Sequence, residues 1–360
     1  MSLSYEEFHS ALLDHNRRRD LLFRDGRPYY CLFSQQFSRA DLEELCDTAT
    51  AIRRLDRHRD GVDFLRRILH GHRVMNLFAQ PSTRTAESFI AAADKLGAST
   101  RLVSDMQTSS FAKGESIDDS VRTLSSFFDT IVVRHHDDDF ATRASWALRG
   151  SGRPIPVISA GSGKSQHVTQ SLLDVYTLRY SFQERGGIDG KRVLLVGDIG
   201  RNRAARSLAY SLTKFDVKRV DIVCHKDFLP TDGLIEYLAR HGIDVRLHEK
   251  LGPTLEKIGK EIDAIYMTRL QQEWDAGKGE LGTADDFVLA PEYRRYLSDE
   301  TVIMHPLPRI NELPEEWEAH PGFVVWRQVR NGMWMRSALL ATIHGAADEI
   351  RARAARLSLI

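Results

Sequence analysis

The sequence is short of what several protein classes require. Its 360 residues include only three cysteines, Cys31, Cys46 and Cys224. Scattered this widely, they form neither a disulfide framework nor a zinc site. Fifty basic and fifty acidic residues cancel to a formal net charge of zero, so no surplus of one sign points to nucleic acid or to an anionic membrane. The arginine run at 17–19 has Asp14 and Asp20 close by, as expected for a solvated helix face. No apolar run is long enough to span a bilayer. The N-terminus is polar and mixed in charge, which points away from a signal peptide and toward a cytoplasmic protein. Internal repeats and low-complexity segments are also lacking.

What is there is a globular chain of enzyme size. Its 42% hydrophobic and 28% charged residues are ordinary for that class. Its length exceeds the size at which single cores stop growing, so two domains are expected. Residues 1–30 look helical and polar and carry no motif. Ser38 with acidic residues behind it opens a helix running to about 58. Short stretches at 74–79, 99–103, 130–134 and 156–161 predict strands, and helical spacing predicts helices at 86–96, 116–128 and 171–183. After the glycine-rich stretch at 186–190 the alternation restarts. Strands are expected at 192–196, 220–224, 244–247 and 264–267, helices at 204–213 and 232–241, and one final helix at 335–356. That pattern predicts an α/β chain with two doubly wound parallel-sheet domains joined by long helices.

The chemistry concentrates at strand ends. Ser82, Thr83, Arg84 and Thr85 fall at a strand-to-helix turn, where backbone N–H groups lack intrahelical partners and anions bind readily. Arg84 adds a planar, permanently charged fork suited to phosphate oxygens. By themselves these residues also fit an ordinary capping turn with a surface arginine. Arg134 ends a buried strand, and parallel sheets place ligands at the carboxyl ends of their strands, so Arg134 and the Ser82–Thr85 turn are expected on one rim. Residues 105–116 form a long polar loop holding Ser109 and Lys113; loops of this length inside a domain are more often functional than not. Further polar clusters are His167 with Gln170, Arg203, Arg269 with Gln271, and His305-Pro306-Leu307-Pro308-Arg309. Singly, His167 fits a helix N-terminal histidine, Lys113 a surface lysine and His305 a structural residue.

Other motifs fail on spacing. The segment from Gly161 to Ser165 looks like a phosphate-binding P-loop, but its first glycine would have to stand at Ile158. The glycines at 197 and 200 miss the dinucleotide fingerprint. The two histidines at 135–136 before three aspartates lack a metal-ligand spacing and read as a polar loop.

Taken together, in this order along the chain, the clusters resemble the aspartate and ornithine carbamoyltransferases: a Ser-Thr-Arg-Thr turn, a lysine-bearing loop, a glycine turn leading to His167 and Gln170, and a His-Pro-Leu-Pro segment. Pro306 and the run Thr268-Arg269-Leu270-Gln271 resemble the aspartate branch. The resemblance implies a carbamoyl-phosphate domain over residues 1–182, completed by 335–360, and an amino-acid domain over 183–334. It implies that Ser82, Thr83, Arg84 and Thr85 bind phosphate, and that Thr85, Arg134 and His167 polarise the carbamoyl carbonyl. Gln170 would face the carbamoyl NH2. The Pro306 and Leu307 backbone would orient it, with a cis bond between Leu307 and Pro308. Arg203, Arg269 and Gln271 would hold the two carboxylates of aspartate. Ser109 and Lys113 would reach a neighbouring subunit's site in a homotrimer. No cofactor or metal is implied.

Some positions depart from the family pattern. Gln80 stands in place of a glutamate, Trp274 and Ala86 in place of arginines, Val168 in place of a proline and Asn311 in place of an aspartate. They leave open a different amino-acid acceptor in specialised metabolism, and, as a separate class, a catalytically silent binding or scaffold subunit.

Overall fold

The computed structural model describes residues 3–104, 114–163, 166–231, 233–270 and 284–357. By contacts the chain divides into two units. One comprises the residues up to Thr169 together with those from Gly332 onward, the other Gln170–Asn331.

The first unit begins with helices α1 (Tyr5–Leu13) and α2 (His15–Leu22) and the hairpin strands β1 (Phe23–Arg24) and β2 (Arg27–Pro28). Strand β3 (Tyr30–Cys31) and helices α3 (Arg39–Leu55) and α4 (Arg59–Ile68) follow. Then come β4 (Arg73–Phe78), α5 (Thr83–Lys95), β5 (Ser99–Val103), α6 (Ile117–Ser125), β6 (Thr130–His135), α7 (Phe140–Arg149) and β7 (Val157–Ser162). Helix α8 (Val168–Ser181) carries the chain into the second unit: β8 (Arg192–Val196), α9 (Arg203–Leu212), β9 (Arg219–Val223), α10 (Leu234–Arg240), β10 (Asp244–His248), α11 (Leu251–Ile258), β11 (Ala264–Met267) and β12 (Val302–Met304). Helix α12 (Val325–Ile343) leads back, and α13 (Ala347–Leu357) ends the described chain.

Each unit is built on a five-stranded, wholly parallel sheet, in the orders β3-β7-β6-β4-β5 and β10-β9-β8-β11-β12. This is the doubly wound α/β architecture the alternation predicts. The inner strands read as apolar runs because parallel strands are covered on both faces; Val74, Ile131, Val157, Leu194 and Ile265 are all buried, whereas the edge strands β5 and β10 are largely exposed. In each order the chain reverses direction once beside its central strand. In the first unit that happens between β4 and β6, in the second between β8 and β11. Ligands bind open sheets at such reversal points, outside the carboxyl ends of the strands.

Two expectations are corrected. Residues 3–30 are not merely polar. Phe8, Ala11 and Leu12 of α1 and Leu22 of α2 join the core formed by Met75, Leu77, Ile131 and Phe140; their i, i+3, i+4 spacing is an apolar stripe. Charged neighbours anchor the same helix. Arg143 lies over the rings of Tyr5 and Trp146 at 4.7 and 4.6 Å while bonding Asp118 at 2.8 Å, and the Tyr5 hydroxyl donates to Asp139. The single final helix is two. At the end of α12 the Gly345 N–H donates to the Thr342 carbonyl and the Ala346 N–H to the Ala341 carbonyl. Gly345 has φ +78°, so the bonds close a left-handed helix stop that a residue with a Cβ disfavours. Helix α13 then turns onto α3, where Arg351 donates to Glu44 and Thr48 at 3.0 and 2.8 Å.

Candidate active site

The first cluster forms at the β4–β6 reversal. Phe78 at the end of β4 is in register with Arg134 near the end of β6, and the Gln80 N–H donates to the Arg134 carbonyl at 3.2 Å. The strand end therefore delivers the chain directly into the Ser82–Thr85 turn beside Arg134. Ser82 is the N-cap of α5, yet its side chain makes no capping bond. Its hydroxyl donates instead to the Thr85 hydroxyl at 3.0 Å. The first N–H groups of α5 thus stay directed out of the helix start, as an anion requires. Thr85 is buried and Arg84 is exposed; partial desolvation holds the Arg84 guanidinium below its ordinary pKa. Arg134 is half-buried and its guanidinium donates to the Ala160 carbonyl near the end of β7 at 3.1 Å. From there the chain turns through Gly163, whose N–H donates to the His135 carbonyl at 3.0 Å. It then reaches His167, which is buried just before α8. The sheet thereby brings the turn, Arg134 and the segment leading to His167 to one rim.

The second cluster forms at the β8–β11 reversal. Val196 is in register with Met267, and both the Thr268 N–H and its hydroxyl donate to the Val196 carbonyl, at 2.9 and 2.8 Å. Arg269 follows directly, half-buried. On the β8 side the buried Asp198 carboxylate takes the Arg201 Nε at 2.7 Å, and Asn202 caps α9 by accepting from the Ala204 and Ala205 N–H groups, both at 3.1 Å. Arg203, half-buried, is the first residue of α9. Arg269 therefore lies two residues past the end of β11, and Arg203 opens the helix that follows the adjacent strand β8.

Beyond β12, Leu307 adopts φ +60° and the Leu307–Pro308 bond is cis, as the family resemblance implies. His305 is buried and bonded on three sides: to Glu312 at 2.7 Å, to the Leu307 N–H at 2.8 Å and through its own N–H to Gln328 at 3.0 Å. Its work is to hold the loop. Burial raises the Glu312 carboxyl, but the His305 hydrogen bond and backbone donors outweigh it and hold the group below its ordinary 4.5. A carboxylate with a lowered folded pKa stabilises the fold above its unfolded value, and that share is lost as pH falls through the folded value. Glu312→Gln is therefore expected to cost about 1–2 kcal/mol at pH 7. In urea titrations stepped down through pH 4.5 the gap to wild type should close; a gap independent of pH would refute the pairing.

Ser109, Lys113, Gln271 and Trp274 lie outside the described residues. The departures Ala86 and Val168 are buried helix positions. His135 and His136 stack at 4.1 Å, and His135 also stacks on Phe140 at 4.2 Å; burial first and then His136 push the His135 pKa down to about 4. Among the described residues no group of three or more His, Cys, Asp or Glu is placed to hold a metal, and no helix is long and apolar enough to cross a membrane. Sequence reasoning missed Asp174, Tyr266, Gln328 and Glu312. Asp174 follows Gln170 by one helical turn, a visible signal; the others converge only through the fold.

Family models complete the picture. The carbamoyl-phosphate-binding domain of the aspartate/ornithine carbamoyltransferases matches residues 31–180, and their aspartate/ornithine-binding domain matches 189–343. The chain belongs to the aspartate/ornithine carbamoyltransferase family. An aspartate carbamoyltransferase catalytic subunit from Cellvibrio japonicus is 34% identical over 332 residues, 89% of this chain and 94% of the relative. A chloroplastic aspartate carbamoyltransferase of Oryza sativa is 35% identical over 317 residues, 85% and 82% of the two chains. Among solved structures, aspartate transcarbamoylase from Trypanosoma cruzi in complex with carbamoyl phosphate and aspartate has a TM-score of 0.77 at 32% identity, covering 87% of this chain and 96% of that one. The same enzyme with N-(phosphonacetyl)-L-aspartic acid gives 0.77 at 33%, covering 87% and 95%.

Proposed function

We propose that this chain transfers the carbamoyl group of carbamoyl phosphate to the α-amine of L-aspartate, giving N-carbamoyl-L-aspartate and phosphate for pyrimidine biosynthesis. The observation that carries the proposal is the β4–β6 reversal, where the Gln80 N–H bonds the Arg134 carbonyl and the uncapped start of α5, with Arg84 in its first turn, follows; an open helix start at such a reversal supports an anion site. Arginines 203 and 269 at the second reversal fit a dicarboxylate acceptor, with Gln271 as their partner.

In the proposed reaction the neutral amine's lone pair attacks the carbamoyl carbon. The carbonyl oxygen gains charge that Thr85, Arg134 and His167 stabilise. The carbon–oxygen bond to phosphate then breaks, and the departing phosphate takes the amine proton. The protein contributes orientation and fixed positive charge, with the Pro306 and Leu307 backbone and Gln170 holding the carbamoyl nitrogen. Ser109 and Lys113 are assigned to a neighbouring subunit's site in a homotrimer.

The test is product formation from carbamoyl phosphate offered with a panel of amines including aspartate and ornithine. Ureido product from aspartate well above the others is expected. Product from another amine alone would keep the chemistry and move the acceptor, as Gln80 and Trp274 allow. Binding of carbamoyl phosphate with no product from any amine would indicate a silent subunit.

A further inference from the structure

Backbone N–H groups can only donate, and two of them fix the polarity of a buried chain of side chains in the second unit. The Leu307 N–H donates to His305 Nδ1 at 2.8 Å, so the ring proton sits on Nε2 and goes to Glu312 Oε1 at 2.7 Å. The His305 N–H donates to Gln328 Oε1 at 3.0 Å. That settles the Gln328 amide: its nitrogen faces Asp174 Oδ1 and donates at 2.7 Å. Gln170 Nε2 donates to the same oxygen at 3.0 Å, and the Tyr266 hydroxyl donates to Oδ2 at 2.7 Å.

Asp174 is fully buried, and these donors supply what its burial requires. Burial first, then the neighbouring Asp174, push the Tyr266 hydroxyl well above its ordinary 10.0, so it remains a donor. Were Gln170 reversed, its carbonyl oxygen would meet a carboxylate oxygen, acceptor against acceptor, in a buried site. The Gln170 oxygen must therefore point away from Asp174.

We propose that Asp174, held by Tyr266 and Gln328, is a positioning residue that makes Gln170 an obligate hydrogen-bond acceptor, so that the site selects an acyl phosphate whose acyl group carries an N–H donor. The inference rests on the proposed function, in which Gln170 faces the carbamoyl nitrogen.

Calorimetric titration of the full chain with carbamoyl phosphate, acetyl phosphate and inorganic phosphate tests it, in wild type and in Asp174→Ala. Acetyl phosphate replaces the NH2 by a methyl group. Losing the carboxylate frees the Gln170 amide to rotate. The preference for carbamoyl over acetyl phosphate should fall roughly fivefold to tenfold, the scale of one neutral hydrogen bond, with inorganic phosphate binding unchanged. An unchanged preference, or parallel weakening of all three ligands, overturns the proposal. Asp174→Asn can keep its oxygen toward both glutamines and should retain the preference; loss there would mean that charge decides, which also overturns it. If the alanine variant does not fold, a neutron-diffraction map of the deuterated wild type reads the amide directly. Deuterons on the Gln170 atom facing Asp174 are expected, and an oxygen there overturns the proposal. A wild type that binds neither acyl phosphate defeats the proposed function and this inference together, whereas a preference that survives Asp174→Ala defeats the inference alone.

Discussion

Replacing Arg84 by alanine is expected to lower kcat/KM for carbamoyl phosphate by at least about a hundredfold, the scale of losing one preorganised charged donor. Arg84 stands in the first turn of α5, where helix N–H groups and the macrodipole already favour an anion. Its guanidinium is partly desolvated, so its attraction for phosphate is less screened than that of a fully hydrated surface arginine. Because the side chain is exposed, folding stability should move by no more than about 0.5 kcal/mol, and a urea titration run alongside separates the two effects. Arg84→Lys keeps the charge and loses the planar fork, so its activity should fall between the two. Wild-type turnover in Arg84→Ala would remove the anion site from this turn and leave an ordinary capping turn.

Gly197→Ala is expected to destabilise the second unit by about 3 kcal/mol or more. Gly197 has φ +112°, and a Cβ there would lie 2.3 Å from the Thr268 carbonyl oxygen and 2.5 Å from its hydroxyl. Those atoms cannot swing aside. The Thr268 N–H and hydroxyl both bond the Val196 carbonyl, so relief must part the ends of β8 and β11. Arg269 lies two residues past one of these ends and Arg203 opens the helix after the other, so under the proposed function aspartate binding should weaken in whatever fraction remains folded. Thermal and urea unfolding decide the matter; a loss under about 1 kcal/mol would show that the two strand ends tolerate separation. In the sequence Gly197 stands out only as a glycine at the wrong spacing for a dinucleotide fingerprint. Its role depends on a strand some seventy residues away and could not be read locally.

Helix and strand placement shows the same division. Buried parallel strands announce themselves as short apolar runs, and β8 and β11 fall at the residues their runs predict. Ser38 marks the start of α3 because its side chain and that of Asp41 cap each other's backbone, a pattern local to four residues. Helices α4, α7 and α11 went unnoticed. Helix α7 directly follows the 135–139 stretch that reads as a polar loop, although Phe140, Ala144 and Leu148 line one buried face. The stop between α12 and α13 turns on one glycine whose left-handed backbone no periodicity reports.

The sequence by itself determined the fold class, through alternating apolar periods, and it supplied the proposed inventory of the site, because the Ser82–Thr85 turn, His167, Gln170 and the His305–Arg309 segment keep their order along the chain. The shared rim of Arg134 and the turn was expected of a parallel sheet, but only the tertiary structure decided that their two strands are neighbours, and that Arg269 follows the strand beside the one leading to Arg203. It also decided that Asp174, Tyr266, His305 and Gln328, far apart in the chain, orient one another. Local order is written in residue spacing, whereas sheet order and the direction of a buried hydrogen bond depend on which distant segments pack together.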